Sequence, residues 1–277
     1  CRGNAAMKKL SKRLARKRQR LLERYDPDDL HALRTTLRRI RSRLKQLHGK
    51  KATRLRQELG VLADATNAAR DWDTLQANAR HLLPAEQLAT LRAPLEQQQL
   101  AARENVMQML RSATWSETFD RWADFERAHR SVLGENVGHR HRKLSRTIHK
   151  LAKARSRALS AGGDRHWHKL RIAIKDLRYQ LDATPKPART AREADMLALC
   201  KLLQVSLGEW HDAVVHRRLL RELAEHSDPT SGTPASNALA NLRQEIEKRG
   251  RFHIEQAKCT LNQAQVLAAL GPLAEGM

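Results

Sequence analysis

Apolar residues recur along this chain at spacings of three and four, and nowhere do they alternate with the period of two that a half-buried strand shows. The clearest stretch runs from about residue 28 to 47. There Leu30, Leu33, Leu37, Ile40, Leu44 and Leu47 fill an arc of about 100°, the width of a core-facing helical stripe. His31, Arg34, Arg38, Arg41 and Lys45 fall within about 80° on one side of it. A row of cations therefore borders an apolar face.

The same pattern returns at an offset of 137 residues (168 − 31). His168, Arg171, Lys175 and Arg178 repeat the basic arc, and Trp167, Leu170, Ile174, Leu177 and Leu181 repeat the apolar one. A second matching pair follows: Arg70-Asp71 is answered by His211-Asp212 at an offset of 141 (211 − 70). Two helices matching in sequence and order mean that a whole unit is duplicated.

Helices are expected over 8–24, 28–47, 51–82, 85–132, 139–159, a segment after Gly163, a segment carrying His211-Asp212, and 237–269, four to each repeat. Asp26-Pro27-Asp28-Asp29 supplies a break followed by acids that suit a helix N-terminus. Gly49 stands in a helix-stop position and Pro84 closes the next element. Pro94 and the region of Trp115 are candidate interruptions, and Gly134 and Gly138 flank the boundary between repeats. Ala161-Gly162-Gly163-Asp164 reads as a turn, Pro185 and Pro187 as a separator, and Ser227 to Ser236 as the loosest segment.

Charge narrows the partners: 53 Lys and Arg against 30 Asp and Glu give a net +23, before any contribution from 13 His. A polyanion is the class of ligand that such a balance favours. Aromatic residues make up only 4% of the chain, which with abundant Leu, Ala, Arg, Lys, Glu and Gln favours helices over sheets. Cys1, Cys200 and Cys259 are too few and scattered for a disulfide framework or a zinc site, so a reducing, cytoplasmic setting is expected. No apolar run approaches the roughly 18 residues that span a bilayer, so no membrane partner is expected. Met7 reads as a natural start, preceded by no apolar signal core.

The paired H-x-x-R-x-x-x-[RK]-x-x-R helices, each followed by an [RH]-D helix, resemble the CHAD domain, the conserved histidine α-helical domain, over residues 8–270. The resemblance implies an all-α fold of two pseudo-symmetric four-helix bundle units, 8–135 and 136–270, around a basic central cavity. It also implies binding of inorganic polyphosphate and association with polyphosphate granules. The family's frequent fusion partner, a triphosphatase domain of the CYTH type, carries a strand-borne E-x-E-x-K signature. Its nearest match, Glu245-Ile246-Glu247-Lys248-Arg249, sits in a helical pattern and reads as a solvated face, so a stand-alone member is expected. The chain departs from the family pattern at Asp176, at Asp182 (opposite Lys45), and at Thr66-Asn67 (opposite Leu207-Gly208). The two acids imply weaker ligand binding by the second unit, whereas Asn67 bears on helix packing.

A chain of phosphates calls for repeated donors rather than a catalyst. Arg34, Arg38, Arg41, Arg171 and Arg178 offer forked N–H groups, and Lys45 and Lys175 point charges, at turns rising about 5.4 Å. His31 and His168 open their helices and gain a donor and a charge on protonation, so binding is expected to strengthen toward acidic pH. Arg70 and His211 are further candidate ligands, with Asp71 and Asp212 aiming a stripe arginine. Lys143, Arg146 and Lys150 are expected to face inward and add to the field. No nucleophile with a neighbouring base, metal-ligand spacing or glycine-rich phosphate loop stands out, so no catalytic residue, metal or cofactor is expected. The leading expectation is thus non-enzymatic polyphosphate binding. Non-specific nucleic-acid binding is the alternative, and an enzyme acting on phosphate anhydrides the third reading.

Overall fold

The structure, a computed structural model, describes residues 2–45, 47, 49–129, 137–184, 189–225 and 232–263. Every regular element among them is an α-helix: α1 (Arg2–Glu23), α2 (Pro27–Leu44), α3 (Lys50–Asp64), α4 (Asn67–Leu82), α5 (Ala85–Arg111), α6 (Ala113–Ala128), α7 (Val137–Ala161), α8 (Gly163–Ala183), α9 (Ala191–Glu225) and α10 (Pro234–Asn262). They fall into two compact units, residues 1–135 with 233–238, and residues 136–232 with 239–277. The expected boundary at Gly134, the Pro185 and Pro187 separator, the first half of the Ser227–Ser236 loop and the last residues of the 237–269 helix lie outside the described residues.

In the first unit the start of α2 follows from its sequence. Asp26 takes an extended N-cap conformation and its carboxylate accepts from the Asp28 and Asp29 N–H groups at 2.7 and 3.0 Å, with Pro27 in the first turn. Those bonds hold the Asp26 carboxyl below the usual range. Asp29 is buried and takes Lys17 (2.5 Å) and Arg20 (2.8 Å) of α1, tying the two helices together. Leu30, Leu33, Leu37, Ile40 and Leu44 are almost completely buried, each such side chain contributing about 1.5–3 kcal/mol of transfer free energy.

Three expected boundaries move. The stripe helix ends at Leu44, where the Lys45 N–H closes onto the Arg41 and Arg43 carbonyls; Gly49, at φ 126°, instead leads into α3. The expected 51–82 helix breaks at Ala65-Thr66. There the buried Thr66 hydroxyl donates to the Ala63 carbonyl (2.6 Å) rather than to a continuing helix. Pro94 stays inside α5, flanked by the buried Leu91, Leu95 and Gln99, and the break falls at Ser112. The Ser112 hydroxyl donates to Met109 O (2.7 Å) and accepts from Trp115 N–H (3.2 Å), so one side chain ends α5 and caps α6. These breaks give the first unit six helices among the described residues, not the expected four.

That unit also encloses a polar cluster. Asp73 accepts from the Tyr25 hydroxyl (2.6 Å), the Gln99 amide (2.8 Å) and Arg103 (2.9 Å), with the Arg103 guanidinium 4.6 Å over the Tyr25 ring. Burial and the Asp73 carboxylate push the Tyr25 phenol above its ordinary range, so it remains a donor.

In the second unit α9 runs unbroken for 35 residues, because the buried Leu207 continues its apolar stripe where Thr66 interrupts the first. Its core gathers Leu151, Trp167, Leu170, Ile174, Leu177 and Leu181 with Leu203, Leu207 and Trp210. Small and large residues trade places between the copies: buried Ala69 and Trp72 stand where the second unit has buried Trp210 and Ala213. One contact recurs in both. Arg18 of α1 donates to the Leu110 carbonyl at the end of α5 (2.9 Å), and Arg155 of α7, 137 positions on (155 − 18), donates to the Leu261 carbonyl at the end of α10 (2.9 Å). Burial pushes the Cys200 thiol up to about 12, so it stays protonated within this core.

Candidate anion-binding site

In the first unit α2 and α4 assemble the cations. His31 is exposed; Arg34, Arg38 and Arg70 are half-buried. The His31 imidazole is held below its ordinary value by burial, then by repulsion from Arg70, Arg38 and Arg34, with only Asp28 opposing. Those four cationic positions therefore share one patch, into which Arg70 enters from a separate helix. Arg34 also feels the attraction of the Asp71 carboxylate.

Arg34 is more committed than a free donor fork. Its Nη1 donates to the Thr66 hydroxyl (2.6 Å) and reaches Ala63 O at 3.4 Å, fastening α2 to the α3–α4 junction. Arg41 turns toward α3 and lies against Gly60, where a Cβ would stand 3.1 Å from Nη2. Its Nε is buried with no acceptor among the described residues. Lys45 is exposed and forms the C-cap rather than a fifth rung within the helix.

In the second unit α8 and α9 repeat the arrangement. His168 is exposed, while Arg171, Lys175, Arg178 and His211 are half-buried. The His168 and His211 rings lie 5.4 Å apart at 30°, and Trp210 stands edge-on to His211 at 6.4 Å. Burial, then His211, Arg171 and Lys175, lowers the His168 imidazole below its ordinary value. Burial pushes the Asp212 carboxyl up, but His211, His216 and Arg171 together hold it below the usual range. Asp71 thus acts on Arg34 and Asp212 on Arg171, at equivalent positions. Arg178 is restrained differently from Arg41: it donates to Gln204 through Nη1 and to Asp182 through Nε (3.2 Å), with its guanidinium 5.7 Å from the Tyr179 ring centre.

Two expectations on α7 change. Arg146 and Lys150 occupy exposed positions, since the buried face of that helix carries Thr147, Ile148, Leu151 and Ala158; the Lys143 side chain lies outside the described residues. Glu245 and Glu247 pair along α10 with Lys248 (2.6 Å) and Arg251 (3.2 Å), as a solvated helix face does. Gly60, Thr66 and Gln204 shape the stripes without belonging to them: Gly60 is marked in the sequence as a glycine inside an apolar helical period and Thr66 as a departure from the family pattern, whereas nothing marks Gln204. Among the described residues no three His, Cys, Asp or Glu side chains converge closely enough to hold a metal ion, and no helix is long and apolar enough to cross a membrane.

The crystal structure of the CHAD domain from the plant Ricinus communis is similar, with a TM-score of 0.76 at 24% identity, covering 97% of this chain and 90% of that one. PptA from Streptomyces chartreusis is similar with a TM-score of 0.64 at 18% identity, covering 91% of this chain and 96% of that one. No curated protein matches the sequence. The sequence pattern of the CHAD domain matches residues 5–221, and this chain belongs to the CHAD domain family.

Proposed function

We propose that the chain is a non-enzymatic module that binds inorganic polyphosphate through its duplicated basic patches, and that it acts in the cytoplasm in association with polyphosphate granules. The observation that carries this reading is the repeated assembly itself. His31, Arg34, Arg38 and Arg70 form one cluster, and His168, Arg171, Lys175 and His211 another, each built by a stripe helix and the helix bearing the Asp motif. Repeated cationic donors suit a ligand that repeats one anionic group, and the family resemblance implies polyphosphate as that ligand.

Burial of Trp72, Trp115, Trp122, Trp167 and Trp210 favours this ligand over single-stranded nucleic acid, whose binders stack bases on accessible rings. Binding then rests on charge neutralisation and counterion release, so affinity falls steeply with salt. Calorimetric titration with long-chain polyphosphate near physiological salt, on wild type and on H31A/R38A, tests the reading. Tight binding that collapses in the double variant supports it. Binding that survives the double variant, or that DNA displaces as readily as polyphosphate displaces DNA, overturns it. Metal-dependent release of phosphate overturns the non-enzymatic part.

A further inference from the structure

At the two positions where the first unit sets His31 beside Arg70, the second sets His168 beside His211. The substitution changes the chemistry of the patch. A guanidinium carries its charge at every physiological pH, whereas an imidazole acquires one only on protonation.

Two imidazoles 5.4 Å apart do not readily carry charge together unless something compensates them. Their surroundings supply one such charge. Arg171 and Lys175 on α8 add positive charge, and on α9 the Asp212 carboxylate opposes it, its Oδ1 within ion-pair distance of the His211 Nδ1 (3.7 Å) but shared with His216 and Arg171. His216 lies buried on the same helix. The other acids nearby are occupied: Asp164 by Arg217 (3.1 Å), and Glu209 by Arg249 (2.7 Å) with His253 at 4.0 Å. On α7, Arg155 is spent on the Leu261 carbonyl, and Arg146, His149, Lys150, Lys153 and Arg157 occupy exposed positions. One carboxylate among two imidazoles, Arg171, Lys175 and His216 leaves room for a further negative charge, which a phosphate group would supply.

We infer that His168 and His211 form a proton-gated clamp for a phosphate or phosphoanhydride group, taking up protons as the anion binds. The second unit is then set by pH while Arg70 keeps the first engaged. The inference rests on the polyphosphate reading and adds its regulation. Partial burial of the His168 ring and the neighbouring His211, Arg171 and Lys175 support it by disfavouring the charged form of His168 without an anion beside it. Proton uptake on binding makes affinity rise as the pH falls, by up to about tenfold per pH unit for each proton taken up.

The test is titration of the full chain with long-chain polyphosphate at about pH 6.5, near the ordinary histidine value, in two buffers of different ionisation heat. The difference in heat counts the protons taken up. H211R, which copies the first unit, lowers the uptake by about one proton, and R70H, which copies the second, raises it by about one. Circular dichroism and a melting curve confirm that each variant is folded; should H211R fail to fold, R70H still decides. Uptake unchanged in the folded variants while polyphosphate binds overturns the proton gate alone. No binding by wild type at any pH overturns the polyphosphate reading, and the gate with it.

Discussion

In the first unit Arg34 is fastened to Thr66 while Arg41 lies over Gly60, its buried Nε without an acceptor; in the second unit Arg178 is fastened, by Gln204 and Asp182. Both stripe helices keep their apolar faces buried and their cations in register, yet each immobilises a cation at a different rung. The restraint comes from residues on the neighbouring helices as much as from the stripe. Duplication therefore preserves the periodicity of a helix more faithfully than the company its charged side chains keep.

The largest difference between the units to probe lies in their interiors. Asp73 holds Tyr25, Gln99 and Arg103 together, whereas the matching position in the second unit, 141 residues on (214 − 73), is the apolar Val214. Asp73→Ala is expected to cost about 2–3 kcal/mol in denaturant unfolding, because it leaves the buried Gln99 amide, the Tyr25 hydroxyl and the half-buried Arg103 without their shared acceptor. Val214→Ala should cost only about 1 kcal/mol. Comparable losses would show that the polar cluster contributes no more than ordinary packing.

Next comes ligand affinity at Arg38 and its counterpart Lys175. A forked guanidinium offers paired donors where an ammonium offers a point charge, so Arg38→Ala should weaken polyphosphate binding about tenfold, and Lys175→Ala about threefold, by calorimetry. An inverted order would place the tighter half of the site in the second unit.

Gly60→Ala separates binding from stability. The added methyl displaces the Arg41 guanidinium, and polyphosphate affinity should fall about threefold, an effect of the size of one weakened hydrogen bond. The alanine gains up to about 1 kcal/mol of helix propensity, so the melting temperature should hold or rise. Lys201→Ala, at the matching exposed position of α9, should change neither.

The smallest effect concerns pH without ligand. His31 and His168 are both held below the ordinary imidazole value, so the unfolded chain binds their protons more readily than the folded one. Stability should therefore decline slightly as the pH falls below about 6.5, and saturating polyphosphate should reverse the trend. Parallel melting curves with and without ligand would expose a sign error at once.

Much of this was legible in the sequence. The buried face of α2, its Asp26 cap and the recurrence of both faces in α8 follow from spacing alone, because a helix that buries six or so apolar positions has little freedom in which side it turns inward. The α3–α4 break was not legible. Alanine and threonine at 65 and 66 do not forbid a helix, and the interruption is held by Arg34, which lies 32 residues earlier in the chain (66 − 34). Pro94 misled in the other direction, since local cost yields to the apolar contacts on either side of it. The stripes could be read, and Arg70 and His211 could be picked as further ligands, but not that each would stand beside the leading histidine of its stripe. That meeting is set by how α4 and α9 pack, which no periodicity within α2 or α8 encodes.

The edge-on contact of Trp210 with His211 has an optical consequence. An indole is dimmed by a protonated imidazole more strongly than by a neutral one, so emission from Trp210 would report proton uptake by the proposed clamp. Trp72 is shifted three positions along the equivalent helix, and the position matching His211 there is Arg70, whose guanidinium keeps its charge. The exchange of a large and a small core residue between the two copies thus leaves one unit with a built-in fluorophore for its own protonation.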